Sequence, residues 1–299
     1  MKELQRFLSY LKFERRFSVH TLIAYETDIE QFLSYINEQY QLEDFTQVNH
    51  LFIRSWVVSQ MEMKLNPRSV NRKITALRSF FRFLLRENVV SANPMIKIRA
   101  PKVSQRLPEY VDEQRMEIVL NEKHDESSFV FVRNQLIMEF FYMTGVRLSE
   151  LLNLRASDVD LYNLTVTVTG KRNKVRQIPV TNSFRRKLEA YLELRNQLLT
   201  GLEKTGDYFF IGNKGNKLYP KFVYRIVQQE LTKHSEITNS KKSPHILRHS
   251  FATAMLNKGA DINAIKTLLG HSSLAATQVY THNTIEKLKD IYKQAFPKA

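Results

Sequence analysis

The sequence contains no cysteine in its 299 residues. This absence excludes disulfide bonds, thiol nucleophiles and cysteine metal ligands, and it fits a reducing cytoplasm, where disulfides are rare. No stretch is apolar and free of charge for long enough to cross a bilayer, so we expect no membrane partner. The N-terminal stretch mixes charged with apolar residues and predicts no signal peptide. We therefore expect a cytoplasmic protein.

Acidic residues are also scarce, with 30 Asp and Glu against 45 Lys and Arg, which gives a formal charge of +15. Hydrophobic residues make up 43% of the chain and charged residues 25%, which is the composition of a globular protein. A basic chain of this kind tends to bind polyanions, and nucleic acid is the first candidate. A ribosomal protein or a protein of anionic membrane surfaces is the alternative at this point.

The first ninety residues carry the spacing of amphipathic helices. Ser18 stands where a helix N-cap is expected, and Asn66 followed by Pro67 is a favourable start for another helix. We predict a small helical bundle over residues 1–90, which forms an N-terminal domain. Three prolines and several cations come next and predict an extended interdomain linker over residues 91–107.

Residues 108–299 mix helical periodicity with short β-branched runs, and we predict a mixed α/β domain there. The run LTVTVTG alternates β-branched residues, and VRQIPV can pair with it across the turn GKRNK, which predicts a β-hairpin. A helix, a turn near Gly145 and a second helix precede this hairpin, and further helical patterns follow it. The expected fold class is mainly α with a small β-sheet, divided between an N-terminal helical bundle and a C-terminal mixed α/β domain.

Positive charge is concentrated between residues 63 and 106, which hold eleven Lys or Arg and one acidic residue. On the helix that begins at Pro67, five arginines fall within an arc of about 120°, opposite an apolar face. These arginines are Arg68, Arg72, Arg78, Arg82 and Arg86. Solvated helix faces normally mix charges of both signs. We therefore predict that this face contacts DNA phosphates, with a solvated surface as the alternative.

The stretch SPHILRHSF contains two histidines, His245 and His249, at a spacing that could hold a metal ion on one helical face. Arg248 lies between them and would repel a cation, and no HExxH motif or cysteine supplies further ligands. We therefore expect no metal site. Pro244 suits the first helical position, so that His245 and Arg248 lie three apart at a helix N-terminus, where an anion is stabilised. A phosphate fits this pair better than a dication.

Other polar residues suit the same ligand, although each of them alone would be assigned to packing or to an ion pair. Arg147 follows a glycine turn, and Glu150 is expected to orient its guanidinium. Lys171 lies in the predicted hairpin turn, His271 follows an expected helix end, and Tyr280 comes nine residues later. Two arginines can neutralise the oxygens of a phosphodiester, a lysine or histidine can protonate a departing oxygen, and a tyrosine can serve as nucleophile. Such a site requires no metal or nucleotide cofactor.

Six positions in this order closely resemble the active site of the tyrosine recombinase, or phage integrase-like, family. They are Arg147, Lys171, His245, Arg248, His271 and Tyr280, within the strings TGVRLSELLNL, HILRHSFAT and LLGHSSLAATQVYTH. The resemblance covers essentially the whole chain, and the length, the helical N-terminal domain and the proline-rich linker look most like the bacterial Xer branch. It implies a SAM-like core-binding domain followed by a catalytic tyrosine recombinase domain.

The resemblance implies a site-specific recombinase that cuts and rejoins DNA. Tyr280 would attack the phosphodiester, form a 3′-phosphotyrosyl bond and release a 5′-hydroxyl. The two arginines would hold the scissile phosphate, and Lys171 would protonate the leaving oxygen. His245 would assist proton transfer, and His271 would donate a hydrogen bond to the phosphate. His249 matches the family pattern without being one of the six, and we interpret it as a packing residue.

A C-terminal helix over residues 284–296 would, by the same resemblance, dock on a neighbouring subunit and link a homo- or hetero-tetramer on a double-stranded recombination site. Packing onto its own domain is the alternative. The resemblance also implies a nucleoid-associated protein, with a DNA translocase as a regulatory partner. Chromosome dimer resolution is the expected role, with integration of a mobile element as the alternative. A type IB-like topoisomerase and a DNA-binding protein with a decayed active site are the rival interpretations.

Overall fold

The computed structural model describes residues 2–103, 110–121, 127–170, 173–201, 206–233 and 242–270, together with residue 292. The chain separates into two compact units, residues 1–106 and residues 107–299, and each has its own apolar core. Within the described ranges, no helix combines the length and the apolar character that spanning a membrane requires.

Four α-helices within residues 2–103 form the first unit. They are α1 (Lys2–Phe13), α2 (Val19–Tyr40), α3 (His50–Glu62) and α4 (Pro67–Arg86). Before α2, the Ser18 hydroxyl accepts a hydrogen bond from the Thr21 N–H. Before α4, the Asn66 side chain accepts one from the Arg68 N–H. Such caps satisfy N–H groups that a helix start leaves unpaired, and both predicted helix starts are confirmed.

Aromatic side chains fill the core of this unit. Trp56 packs edge-on against Phe32, with ring centroids 5.2 Å apart. Phe7 packs in the same way against Phe80, at 5.3 Å. All four rings are buried, and they join helices α1 to α4 into one bundle. Large aromatic surfaces contribute most per residue to such a core, which fixes the orientation of the polar face of α4.

The proline-rich stretch after α4 begins as part of the first unit. Residues Pro94–Lys97 form a 3-10 turn, and Met95 and Ile98 are buried in the aromatic core. The Asn71 side chain donates a hydrogen bond to the Pro101 carbonyl oxygen at 3.0 Å. The start of the predicted linker therefore packs onto the helical bundle instead of running free. Isolated apolar residues among prolines and cations show no periodicity, so the sequence did not reveal this packing.

The second unit combines helices with a small antiparallel sheet, as predicted. Its elements are α5 (Glu113–Leu120), α6 (Phe129–Thr144), α7 (Leu148–Asn153), β1 (Val159–Asp160), β2 (Thr165–Thr169), β3 (Val175–Pro179), α8 (Asn182–Leu199), α9 (Pro220–Lys233), α10 (Pro244–Asn257) and α11 (Ile262–Leu269). The strands lie in the order β1-β2-β3, and the predicted hairpin is the β2–β3 pair. The fold class, mainly α with a small sheet, is confirmed.

The register of the hairpin decides which side chains of β3 point inward. Val166 pairs with Ile178, and Val168 pairs with Arg176. Residues two apart on a strand share a face, so that Arg176 lies on the same side as Ile178. Both are buried, whereas Gln177 between them is exposed. The sheet thus directs one arginine toward the interior of the unit.

The core of the second unit lies around α6, which is buried at every position from Leu136 to Thr144. Helix α10 packs its apolar side against it with Leu247 and Phe251, which are fully buried. Tyr292 belongs to the same core, and its hydroxyl donates a hydrogen bond to the Met143 carbonyl oxygen at 2.8 Å. This is the one described residue of the predicted C-terminal helix 284–296, and it packs on its own unit.

Candidate active site

A glycine turn brings Arg147 to the start of α7. Gly145 ends α6 in the left-handed conformation, with a φ of +58°. A Cβ atom at this position would overlap the Phe251 ring and would lie 2.9 Å from Cδ2 of Leu269. Both the φ and the available space therefore require glycine. The placement of Arg147 two residues later depends on this turn.

Glu150 holds Arg147 in place, as predicted. One carboxylate oxygen of Glu150 accepts a hydrogen bond from the Arg147 backbone N–H at 2.8 Å, and the other accepts one from Nη1 of the guanidinium at 2.8 Å. The Glu150 side chain is buried, whereas 32% of the Arg147 side chain is exposed. Arg147 is thus anchored at one edge and open to solvent at another. A guanidinium has five N–H donors, so further donors are available to a ligand.

Arg248 lies one helical turn into α10 and is buried. Its Nη1 donates to the Gly145 carbonyl oxygen, and its Nη2 donates to the Leu269 carbonyl oxygen at 2.6 Å. Burial, together with the charges of Arg147 and Arg176, lowers the pKa of Arg248 to about 10, and the charge of Glu150 acts in the opposite direction. The group remains protonated at neutral pH. Because its surroundings disfavour the charge, a bound anion would stabilise it.

A third arginine, Arg176 on β3, completes the site and is not among the six positions predicted from the sequence. Its Nη1 and Nη2 donate to the two carboxylate oxygens of Glu150 at 3.0 and 2.8 Å, and its Nε donates to the Leu268 carbonyl oxygen at 2.6 Å. The available signal was an arginine at an inward-facing position of the alternating run VRQIPV. We refer to Arg147, Arg176, Arg248 and Glu150 as the arginine cluster.

The C-terminal end of α11 joins the three arginines. The carbonyl oxygens of Leu268, Leu269 and Gly270 accept hydrogen bonds from Arg176, Arg248 and Arg147, at 2.6, 2.6 and 3.1 Å. The last carbonyls of a helix lack intrahelical partners, and the helix dipole makes this end favourable for cations. The predicted helix end at Gly270 is confirmed, and this glycine ends α11 in the left-handed conformation.

The arginine cluster carries an excess of positive charge. Glu150 pairs with Arg147 and Arg176, and no ion pair of Arg248 occurs among the described residues. Burial acts to raise the pKa of Glu150, but hydrogen bonds and the charge of Arg176, with hydrogen bonds from Arg147, lower it below its usual value. The carboxylate is therefore ionised at neutral pH. Three guanidinium groups against one carboxylate leave a partly buried site with two excess positive charges, one of which a phosphodiester would offset.

The two histidines in the first two turns of α10 lie outside the buried part of the cluster. His245 and His249 are both exposed, and their rings stack with centroids 4.6 Å apart and planes at 17°. His249 therefore packs on His245 at the surface. Within the described ranges, no three His, Cys, Asp or Glu side chains come together as a metal site. His245 and Arg248 both lie near the start of α10, where the arginine is buried in the unit and the histidine is exposed to solvent.

Lys171, His271 and Tyr280 lie outside the described residues, as does the predicted helix 284–296 apart from Tyr292. The glycine before each of the first two residues is described. A Cβ atom on Gly170 would lie 3.2 Å from Oε1 of Glu150, and one on Gly270 would lie 3.2 Å from Nη1 of Arg176. Both glycines therefore border the arginine cluster directly. The sequence-based roles of the three residues stay predictions.

The five arginines of α4 differ in their surroundings. Arg72 pairs with the buried Asp28 and donates to the Ala24 carbonyl oxygen, and Arg78 donates to the Ile98 carbonyl oxygen at 3.2 Å.

Arg86 pairs with Glu87 at 3.1 Å and lies over the Tyr10 ring, 4.1 Å from its centroid. Arg68 and Arg82 are exposed, and their side chains have no hydrogen bond or ion pair with any other described residue. Among the described residues, the predicted phosphate-binding face thus consists of two arginines without an internal partner and three that have one.

The sequence is similar to known protein families over most of its length. The Phage integrase family matches residues 109–287, and the Phage integrase, N-terminal SAM-like domain matches residues 4–88. A Tyrosine recombinase XerC of Bacillus licheniformis is 39% identical over 297 residues, covering 99% of this chain and 96% of the relative. One from Listeria innocua is 37% identical over 295 residues, covering 99% and 97%.

Among solved structures, the XerH site-specific recombinase bound to palindromic difH substrate, in a post-cleavage complex, matches with a TM-score of 0.72 and 22% identity. The match covers 97% of this chain and 84% of that one, and it supports the fold. The two family matches together span most of the chain, and the XerC relatives cover nearly all of it. The chain therefore belongs to the phage integrase family.

Proposed function

We propose that this protein is a site-specific recombinase that cuts and rejoins double-stranded DNA through a 3′-phosphotyrosyl intermediate. The observation that carries the proposal is the arginine cluster, in which Arg147 and Arg248 are anchored on the α11 end and retain N–H donors for an anion. A phosphodiester has two non-bridging oxygens, which two guanidinium groups can bind at once. The relatives named as tyrosine recombinases support the same assignment.

The reaction needs no energy source other than the phosphodiester itself. The Tyr280 hydroxyl attacks phosphorus, a tyrosyl–phosphorus bond forms, and the bond to the 5′ oxygen breaks. Lys171 donates a proton to that oxygen, and His245 assists removal of the tyrosine proton. Negative charge builds on the non-bridging oxygens, where Arg147 and Arg248 stabilise it, with a further hydrogen bond from His271. Attack by a 5′-hydroxyl of a partner duplex reverses these steps and restores the free tyrosine.

The domains divide the work. Residues 1–90 would bind DNA on one side of the cleavage point as a SAM-like core-binding domain, and residues 91–107 would connect them to the catalytic domain 108–299. The C-terminal helix 284–296 would link subunits of a homo- or hetero-tetramer on the DNA. The cytoplasm, at the nucleoid, is the compartment in which such a substrate is found.

The biological role that we favour is Xer-like chromosome dimer resolution, because relatives named XerC align over 99% of this chain. A second recombinase and a DNA translocase are the partners that fit this role. Integration of a mobile element uses the same chemistry and is the second candidate. Mapping covalent protein–DNA adducts on the host chromosome separates the two. Adducts at one site near the replication terminus support dimer resolution, and adducts at element ends support mobilisation.

Recombination itself is the test of the proposed function. A plasmid that carries two copies of the mapped site in direct repeat should yield two smaller circles when it is incubated with the protein. A topoisomerase of the type IB class would instead relax plasmids that lack the site and produce no recombinant circles. A DNA-binding protein with a decayed site would shift the duplex without forming an adduct. Either result would replace the proposal.

Chelation of divalent metal should leave strand cleavage intact. Arg147 and Arg248 supply the positive charge at the phosphate that metal ions provide in many nucleases, so the cleavage rate in EDTA should stay within about threefold of the untreated rate. The measurement is adduct formation on a nicked suicide duplex with and without an excess of EDTA. A nuclease that requires two metal ions serves as the control on the same duplex. Strong inhibition of adduct formation would indicate a metal mechanism.

Removing Arg68 and Arg82, for which the described part of the chain shows no partner, should weaken the salt dependence of DNA binding. All five arginines remain proposed phosphate contacts, but Arg68 and Arg82 have no internal partner among the described residues. Each lost phosphate contact reduces the slope of log K against log salt by about 0.9, so the double variant Arg68→Gln, Arg82→Gln should lower the slope by about 1.8. Fluorescence anisotropy with a labelled duplex at several salt concentrations measures the slope.

Arg86→Gln is the matched control for this experiment. Arg86 lies on the same helix and is also exposed, but it already pairs with Glu87, a carboxylate that it shares with Arg6. Its loss should change the slope by less than the loss of either Arg68 or Arg82 does. An unchanged slope in the double variant would remove Arg68 and Arg82 from the DNA interface and leave a solvated helix face.

A further inference from the structure

Arg176 is buried, and its guanidinium is surrounded by polar groups. It occupies an inward position on β3, and 4% of its side chain is exposed. All of its nitrogen atoms donate hydrogen bonds: Nη1 and Nη2 to Glu150, and Nε to the Leu268 carbonyl oxygen. Burying a charged group in this way costs several kcal/mol unless its partners compensate for the loss of water. A fold that needed only an apolar core would have a residue like Ile178 at this position.

The contacts of Arg176 are with groups that hold the two proposed phosphate ligands. Glu150, which Arg176 binds with both ends of its fork, also binds the backbone N–H and Nη1 of Arg147. Leu268 is followed by Leu269 and Gly270, whose carbonyl oxygens accept from Arg248 and Arg147. Arg176 therefore contacts the anchor of each phosphate ligand without contacting either ligand. Its own fork is fully engaged with Glu150.

The geometry predicts what the site would lose without it. The Glu150 side chain is 1% exposed. If Arg147 were its only partner, the remaining hydrogen bonds and charge would not offset the hydration that the buried carboxylate has lost. The Arg147 guanidinium would then turn its remaining donors inward toward Glu150. The end of α11 would lose the hydrogen bond to Leu268 and with it a fixed position for the next two carbonyls. Both changes would withdraw donors from the phosphate.

We propose that Arg176 is a positioning residue for strand cleavage, which fixes Glu150 and the end of α11 so that Arg147 and Arg248 direct N–H donors at the scissile phosphate. This inference rests on the proposed recombinase function and extends it to a seventh residue. Arg176 does not touch the reacting atoms. Its effect on the rate is therefore carried by the charge interaction between the two phosphate ligands and the substrate.

The test compares a charged with an uncharged scissile group. The variants are Arg176→Met, which removes the guanidinium, and Arg176→Lys, which keeps one donor. The probes are two nicked suicide duplexes of the mapped site, one with an ordinary scissile phosphodiester and one with a methylphosphonate, which has lost one charged oxygen. Adduct formation is followed in single turnover at saturating protein. The dissociation constant for intact duplex and the melting temperature are measured for each variant.

On the phosphodiester, Arg176→Met should slow cleavage by about 100-fold while the dissociation constant for duplex changes by less than about threefold. Arg176→Lys should recover about tenfold of that loss, because one donor still reaches Glu150. On the methylphosphonate, the loss from Arg176→Met should shrink to less than about tenfold, because less charge needs to be neutralised. A merely structural role predicts equal losses on both probes.

Arg133→Met is the matched control. Arg133 is equally buried in the same unit, between the Phe129 and Phe222 rings and with Asn213 as a partner, none of which belongs to the arginine cluster. It should lower the melting temperature with a cleavage rate near that of wild type on both probes. Equal losses for Arg176→Met on the two probes, or a rate near that of wild type, would overturn the inference. If wild type forms no adduct on the phosphodiester, the proposed recombinase function itself fails.

Discussion

Replacing Tyr280 by phenylalanine should abolish the covalent protein–DNA adduct. The substitution removes the one oxygen that is proposed to attack phosphorus, and the other five proposed groups of the site are unchanged. We expect the rate of adduct formation to fall by at least about 10⁴-fold, as when a nucleophile is removed from other covalent catalysts. Adducts on a nicked suicide duplex are measured by denaturing gel electrophoresis. Peptide mass spectrometry of the wild-type adduct should place the nucleotide on residue 280.

Tyr162→Phe controls for the loss of a phenol hydroxyl in the same unit. Tyr162 lies on the surface after β1 with 92% of the residue exposed. This variant should form adduct at the wild-type rate. The Tyr280→Phe protein should still shift the intact duplex with an affinity within about threefold of wild type, because phosphate contacts supply most of the binding free energy. An adduct that persists in Tyr280→Phe would assign the nucleophile to another residue.

Replacing Arg248 by lysine should slow cleavage by about 10² to 10³-fold, the usual effect of losing one donor that stabilises a developing oxyanion. Lysine keeps a positive charge, but a single ammonium cannot bond the Gly145 and Leu269 carbonyl oxygens and also present a fork to the phosphate. The loss should appear in the single-turnover rate at saturating protein. Duplex affinity should change much less, because the phosphate is held most strongly in the transition state.

Arg195→Lys separates this catalytic effect from a general loss of stability. Arg195 is a buried arginine of the same unit that also donates to a backbone carbonyl, that of Tyr208, through Nε at 3.1 Å and Nη2 at 2.7 Å. Both variants should lower the melting temperature, since each removes hydrogen bonds from buried carbonyl groups. Only Arg248→Lys should lower the cleavage rate. A cleavage rate of Arg248→Lys within about threefold of wild type would remove Arg248 from the phosphate site.

Interactions between residues that are close in the chain could be predicted from the sequence. The caps at Ser18 and Asn66 need only the next few residues, and the pairing of Arg147 with Glu150 spans a single helical turn. The helix end at Gly270 depends on one residue, because glycine is the residue type most often found just after a helix. Each of these predictions is confirmed because no distant part of the chain is needed to produce it.

Arg176 shows what the sequence could not reveal. Its inward position follows from the strand register, and its partners Glu150 and Leu268 are 26 and 92 residues away in the chain. The carbonyl oxygens at the end of α11 carry no side-chain signal at all, because every residue has one. The partners of Arg72 on α4 were hidden for the same reason, since Asp28 is 44 residues distant. The spacing of arginines along a helix does not indicate which of them pair with groups from distant parts of the chain.

The end of α11 makes the phosphate site and the chain that follows it mutually dependent. Arg147 and Arg248 are fixed by the carbonyls of residues 269 and 270, and residue 271 begins the segment that contains the proposed nucleophile. By thermodynamic linkage, any event that shifts this helix end must change the affinity for the phosphate, and phosphate binding must bias the helix end by the same free energy. In the proposed assembly, a neighbouring subunit that displaced the end of α11 would therefore alter cleavage in this subunit without contacting its DNA.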